Sequence, residues 1–444
     1  MVEEFVEADL NLMENTATET ALGQAKKKKG ILVRVVDFLA GMQLATLLLL
    51  ALFLLTWFAT LEQTVSGLRP MMDKYFNWKE LFFFPEIGKP MQEDGVLIPI
   101  TIYFPMLSGF WLCVLFTLNL TLGGLIRFRK SPQKIGILLS HFSIVFLMVA
   151  AGVTKFTEKR GALQIYEGQS SDAAQDYHEE VIEISELAEG EVTKVHVIDW
   201  KFLKDMRPKK KSLFSFLEGE PVSRRRFHLV NLPFDLEVSN FVENAQVNPS
   251  RFIPQTQGER ALDNFYLKQL PLVKETEAHT SGAEVAVLTK DGENLRELIL
   301  ATRSLKPATI TVDGRPFLLR LRKKLWPLPF EVQLDDFRVE RDPGTRRAAS
   351  FESDITRLFN SESEEVLIEM NEPMRREGWT FFQASWGPQD VEKPEEYYSV
   401  FEVVQNPADH WPLASLLIAM FGLLGHFIYK LISFLSKSRK VIAS

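Results

Sequence analysis

Cysteine is almost absent from this sequence: Cys113 is the only one in 444 residues. A lone thiol cannot form an intramolecular disulfide, a CxxC redox pair or a CxxCH haem-attachment site. The chain is therefore not a c-type cytochrome and does not exchange thiols unaided. Histidine is sparse as well. The seven residues, His141, His178, His196, His228, His279, His410 and His426, include no two at metal-ligand spacing on one element. Walker, GxSxG and HExxH motifs are missing. So is any basic excess, since the net charge is −7, and this speaks against a nucleic-acid partner. The first thirty residues do not read as a cleaved signal peptide, because the apolar run begins late and is too long.

What the chain does have is long apolar runs, near residues 41–59, 101–126, 135–153 and 412–435. A bilayer core is crossed by roughly 20 apolar residues, so four spans are expected. The expected order is a cytoplasmic tail over 1–40, spans over 41–63, 100–126, 135–154 and 409–435, and a cytoplasmic tail over 436–444. The loop 64–99 is dense in aromatics and proline: Tyr75, Phe76, Trp78, Phe82, Phe83, Phe84, Pro85 and Pro90. It reads as an interfacial or re-entrant element, with a surface for a planar ligand as the alternative. Basic clusters at Lys26–Lys29, in the turn 127–134 (Arg127, Arg129, Lys130, Lys134) and at Lys430–Lys440 fall on one side of a four-span chain. By the positive-inside rule that side is the cytoplasm, although Lys155, Lys159 and Arg160 oppose this locally.

After residue 154 the periodicity changes. Apolar residues alternate with polar ones in Val181–Ile184, Val192–Ile198, Phe227–Val238, Val285–Leu288, Leu298–Leu300, Phe330–Val339, Val366–Met370, Trp379–Ala384 and Tyr398–Val404. Period-2 alternation signals half-buried strands. Asp313-Gly314 lies between two apolar runs and has the signature of a two-residue hairpin turn. Residues 155–408 are therefore expected to form one extracytoplasmic antiparallel β domain, sandwich-like or an irregular barrel, on an α-helical integral membrane protein. The basic stretch 207–226, with Lys209–Lys211 and Arg224–Arg226, reads as a solvated loop or as a contact for anionic headgroups.

Two histidines fall within expected spans. His141 lies about two turns into the third. An ionisable group in lipid needs a partner, a cavity or a ligand, and a neutral imidazole is a good ligand for haem iron. The other reading is a packing residue bonded to a neighbouring helix. His426 lies nearer the end of its span, where it can snorkel.

The chain resembles the ResB (CcsB) family of system II cytochrome c biogenesis. The resemblance is carried by the order of three spans, a large domain and a last span, and by local stretches. These are Gly136-Ile137 through His141, Gly161–Gly168, Leu328-Pro329-Phe330 with Leu334–Phe337 and Val339-Glu340, Asn371-Glu372-Pro373 with Gly378–Gln383, and Asn406-Pro407. It implies a bacterial inner-membrane subunit of a holocytochrome c synthase complex, working with a CcsA/ResC-type membrane protein. The pair would handle haem b across the lipid bilayer and support its attachment to the CxxCH of an apocytochrome c. The family's haem-binding histidine maps onto His141, and the second ligand would come from elsewhere. The tryptophan-rich haem-handling segment belongs to the partner and is absent here, so the chain alone is not expected to be the synthase. A competing reading is a membrane-anchored structural subunit of a respiratory or transport complex that binds no haem. A small-solute transporter is disfavoured by the lack of an internal repeat.

Overall fold

The computed structural model describes residues 30–90, 97–206, 222–252, 260–304, 306–345, 347–389 and 396–442. The clusters Lys26–Lys29 and Lys209–Lys211 lie outside these, as do the side chains of Lys437, Arg439 and Lys440. Among the described residues four helices are long and apolar enough to cross a membrane, which makes this a membrane protein.

The membrane part begins with α1 (Ile31–Leu39), where the sequence suggested only a tail. Ile31, Leu32, Val35 and Phe38 are exposed on it, and Arg34 and Asp37 interrupt the apolar residues, so it reads as an amphipathic helix. After the break at Ala40-Gly41 comes α2 (Met42–Ser66), the first span, and then the short α3 (Leu68–Tyr75). Four short strands follow: β1 (Phe82–Phe83), β2 (Glu86–Pro90), β3 (Leu97–Thr101) and β4 (Met106–Leu107). The second span was expected from residue 100. Instead, β3 pairs with β2, from Glu86↔Thr101 to Pro90↔Leu97, and the helix α4 starts at Gly109 and runs to Asn119. Pro99 and Pro105 account for the difference, because each pushes the residue before it towards extended backbone. Residues 120–126 continue α4 as a π-helical segment. The third span is α5 (Ile135–Thr157).

α2 and α4 run antiparallel, and Leu48, Leu55, Leu112 and Phe116 meet between them. At the α1–α2 break the Asn119 amide donates to the carbonyls of Leu39 (2.6 Å) and Gly41 (3.1 Å). Carbonyls at a helix end need such partners, above all in lipid. Arg127 pairs with Asp37 across the same end. At the opposite end Glu62, 2 % exposed, accepts from Lys74 Nζ (2.8 Å) and the Glu86 amide (2.7 Å). Burial beside the Glu62 carboxylate pushes the Tyr75 phenol up, so it stays protonated. The expected aromatic loop is thus a folded cap, with Tyr75 fully buried against Phe83.

The β domain begins one residue after α5. Its strands are β5 (Lys159–Tyr166), β6 (Ser170–Ala188), β7 (Glu191–Ile198), β8 (Arg224–Phe227), β9 (Phe234–Val242), β10 (Ala245–Pro249), β11 (Phe265–Gln269), β12 (Gly282–Thr289), β13 (Asn294–Ala301), β14 (Ala308–Val312), β15 (Arg315–Arg341), β16 (Ala348–Phe359), β17 (Glu362–Glu369), β18 (Met374–Arg376), β19 (Trp379–Gly387) and β20 (Tyr398–Gln405). A short helix, α6 (Trp200–Leu203), interrupts them, and α7 (Trp411–Ile442) is the last span.

Among the described residues all pairings are antiparallel. Ten strands form one sheet along the path β17-β16-β15-β6-β5-β20-β19-β18, with β14 and β7 attached to β15 and β6. The long strands β15 and β6 each serve two cores. Their paired ends at Phe317↔Glu186 through Arg322↔Val181 lie opposite the four-stranded sheet β13-β12-β9-β8. Ile182, Ile184, Phe317, Leu319 and Leu321 there share a core with Phe234, Leu236, Val285 and Leu298. The other halves enclose Leu163, Phe330, Leu334, Ile355, Phe381 and Phe401. Val312↔Arg315 closes the hairpin at Asp313-Gly314, whose φ values of 51° and 72° fit the type I′ turn expected from sequence.

α5 and α7 run antiparallel along a seam of small residues. A Cβ added at Gly136 would lie 2.2 Å from the Gly422 carbonyl oxygen, so only glycine permits this approach. Ser415 Oγ donates to the Ser143 carbonyl (2.7 Å), and Thr154 bonds Asn406 at the β-domain end (3.2 Å). Close packing through Gly and Ser is the usual means by which helices associate in lipid.

Candidate functional site

His141 is half-buried on α5 and faces the π-helical end of α4. A π-turn widens the helix and changes where its carbonyls point. Here the Arg127 amide reaches back five residues to the Leu122 carbonyl (3.0 Å). The Gly124 carbonyl, just past that bond's acceptor, meets His141 Nδ1 at 3.3 Å. A carbonyl only accepts, so Nδ1 must carry the hydrogen for this contact to hold. In the neutral ring that leaves Nε2 with the free lone pair, and it makes no hydrogen bond among the described residues. Phe128 packs edge-on against the ring, centroids 5.7 Å apart.

The donor set fits haem iron on two counts. The available atom is a neutral imidazole nitrogen, and the second nitrogen donates to a carbonyl, the arrangement that orients imidazole ligands in metal sites. Among the described residues no group of three or more His, Cys, Asp or Glu side chains is placed to hold a metal ion.

The other histidines are not brought to His141. His426 packs its Cβ against Gly136 in the α5–α7 seam, and its buried Nδ1 has no hydrogen-bond partner among the described residues. His196 and His228 line a recess of about 220 Å³ in the β domain, with Ile184, Ile198 and Leu232 as its apolar floor. His196 Nε2 lies 2.7 Å from Glu186, and His228 Nδ1 lies 2.8 Å from Asp235. Asp235 is 1 % exposed. Burial alone would raise its carboxyl, but hydrogen bonds from Lys290, Arg226, His228 and the Leu229 amide hold it well below the usual carboxylate range. This network pins the turn after β8, a role in the fold that the scattered charges gave no hint of in the sequence.

The architecture is that of a four-span membrane protein carrying a large antiparallel β domain between its third and fourth spans. Residues 310–394 match the ResB-like family, which is associated with cytochrome c biogenesis. The match bears out the resemblance read from the sequence, and it contains the stretches Leu328–Phe330, Leu334–Phe337, Asn371–Pro373 and Gly378–Gln383. No curated protein matches the chain.

The matched segment is scaffold. Phe330, Leu334, Trp379 and Phe381 are core side chains. Glu377 and Gly378 take φ values of 50° and 77° in the turn that Arg376↔Trp379 closes. Gln383 is buried between Ser353 and Ser399, bonded to each at 2.8 Å. His141 lies outside the matched residues.

Proposed function

We propose that this chain is a cytochrome c biogenesis subunit of the bacterial cytoplasmic membrane. With a CcsA/ResC-type partner it handles haem b across the bilayer and supports covalent attachment to the CxxCH of apocytochrome c. In this reading the basic end, with Arg127–Lys134, faces the cytoplasm, and the β domain is extracytoplasmic and sandwich-like. The observation that carries it is the His141 imidazole, whose Nδ1 is taken by the Gly124 carbonyl (3.3 Å) and whose Nε2 is free for iron. The family match gives independent support.

His141 would hold the haem on one side, between α5 and elements supplied by the partner, and the partner would provide the second ligand. Haem supplies the cargo and its iron a coordination site. The chain supplies a fixed imidazole, an apolar surround and a β domain joined to that span by a single residue, Glu158. Without a cysteine pair or a tryptophan-rich segment, the chain contributes binding and positioning, and the attachment chemistry falls to the complex.

The His141–Gly124 contact also gives one ring nitrogen a partner without any ligand. That favours, as the second reading, a structural subunit of a respiratory or transport complex. Replacing His141 separates the two. His141→Ala in the chain co-expressed with its partner should cut co-purifying haem by at least roughly ten-fold, the loss that removing even a hydrogen-bond partner of a metal ligand typically causes, with the complex still assembled. Full haem content and full cytochrome maturation in that variant would hand the lead to the structural reading.

A further inference from the structure

The approach of α5 to the π-helical end of α4 depends on one residue. A Cβ built on Gly124 would lie 2.9 Å from His141 Nδ1 and 3.1 Å from its Cγ. Real side chains do not come that close, so any other residue at 124 pushes the imidazole away. Gly124 is itself buried, and Phe128, two residues past the helix end, closes against the same ring from another direction. The ring therefore has little freedom, and the carbonyl it meets accepts only a protonated nitrogen.

We propose that Gly124 is a positioning residue for His141: its missing side chain admits the imidazole, and its carbonyl fixes the Nδ1–H tautomer, presenting Nε2 as the iron-binding atom. This rests on the haem reading above. The π-turn is part of the device, because it carries the Gly124 carbonyl beyond the last helical hydrogen bond, the one to Arg127 N–H, and so leaves it free to accept from a neighbouring helix. A donor bond of this kind also makes the opposite nitrogen a stronger electron donor to a metal. Its loss should make bound iron easier to reduce.

The test uses the full-length chain in detergent, without haem, labelled with ¹⁵N-histidine at pH 8, where an ordinary imidazole is neutral. The His141 signals are those lost in His141→Gln. In the wild type, Nδ1 should be protonated and Nε2 unprotonated. Gly124→Ala should shift the ring towards the other tautomer, lower haem retained with the partner roughly ten-fold, and move the potential of the remaining haem in the positive direction. Gly152→Ala, a glycine of α5 with nothing within 4 Å of an added Cβ, should change none of these. A protonated Nε2 in the wild type overturns the proposal even if Gly124→Ala fails to accumulate, as does an unaltered tautomer and potential in Gly124→Ala. Haem kept by His141→Ala would instead overturn the haem reading, so the two failures are distinguishable.

Discussion

Phe381 in β19 and Leu50 in α2 are both large apolar side chains, yet Phe381 is fully buried and Leu50 is 55 % exposed. The contrast holds for the regions they belong to. In the β domain, branched and aromatic residues from facing strands fill two cores. In the spans α5 and α7, only 11 % of the apolar window is buried within the chain. Water drives the first kind of packing. It cannot drive the second, because lipid is as apolar as leucine. The helices are held at a few points instead: the Gly136–Gly422 approach, the Ser143–Ser415 bond and the Asn119 amide across the α1–α2 break. The apolar surface left over is available to lipid and, in the proposed function, to a membrane partner.

The largest effect should come from the β core. Phe381→Ala should cost about 3–5 kcal/mol, while Leu50→Ala should leave the thermal midpoint in detergent nearly unchanged. Comparable losses for the two would mean that α2 is packed as tightly as the sheet, and the contrast would fall.

The helix seam comes next. Gly136→Val should cost about 1–3 kcal/mol through overpacking and separate α5 from α7. The readout is oxidative cross-linking between Ser143→Cys and Ser415→Cys in a Cys113→Ala background, efficient with Gly136 and weak with valine. Unchanged cross-linking would show that the seam is not what holds the pair.

The smallest effect concerns charge. The folded-state pKa of Asp235 is depressed. Its contribution is therefore present above the unfolded value of about 3.9 and is lost as the pH falls through the lower folded value. Asp235→Asn should lower β-domain stability by about 1 kcal/mol at neutral pH. It should also flatten the acid limb of the melting profile below about pH 4. An acid limb as steep as that of the wild type would place the responsible carboxylate elsewhere.

Much of this fold is legible in the residues, and the reasons are local. The apolar runs declare four spans because a bilayer sets their length, and Asp313-Gly314 declares a hairpin because few dipeptides tolerate two positive φ angles. Alternation along β6 and β15 is equally plain. That each of these strands serves two cores is not, since period 2 reports a face and not what covers it. Ile98-Pro99-Ile100 misleads because a short apolar run can belong to a helix or a strand, and only the pairing with Glu86–Pro90 decides. His141 is conspicuous as an imidazole in an apolar helix. Gly124 is not, because a glycine in a leucine-rich run looks like tolerated helix until the neighbouring ring is seen. The family match falls on core and turn residues and so identifies the scaffold without touching the candidate site.

The joint between the two regions carries a mechanical consequence. α5 passes into β5 through Glu158 alone, and β20 returns to α7 through residues 406–410. β5 and β20 are themselves paired from Lys159↔Gln405 to Tyr166↔Tyr398, just as α5 and α7 are seamed below them. The two chain crossings are therefore parallel rails, clamped above by a ladder of backbone bonds and below by glycine and serine contacts. A swivel about a single tether is not open to such a joint. Sliding α5 along α7 would have to shear the β5–β20 ladder, whose registers are about 3.3 Å apart, so small slips are resisted and torque is passed on. The span that bears His141 and the β domain above it behave as one lever.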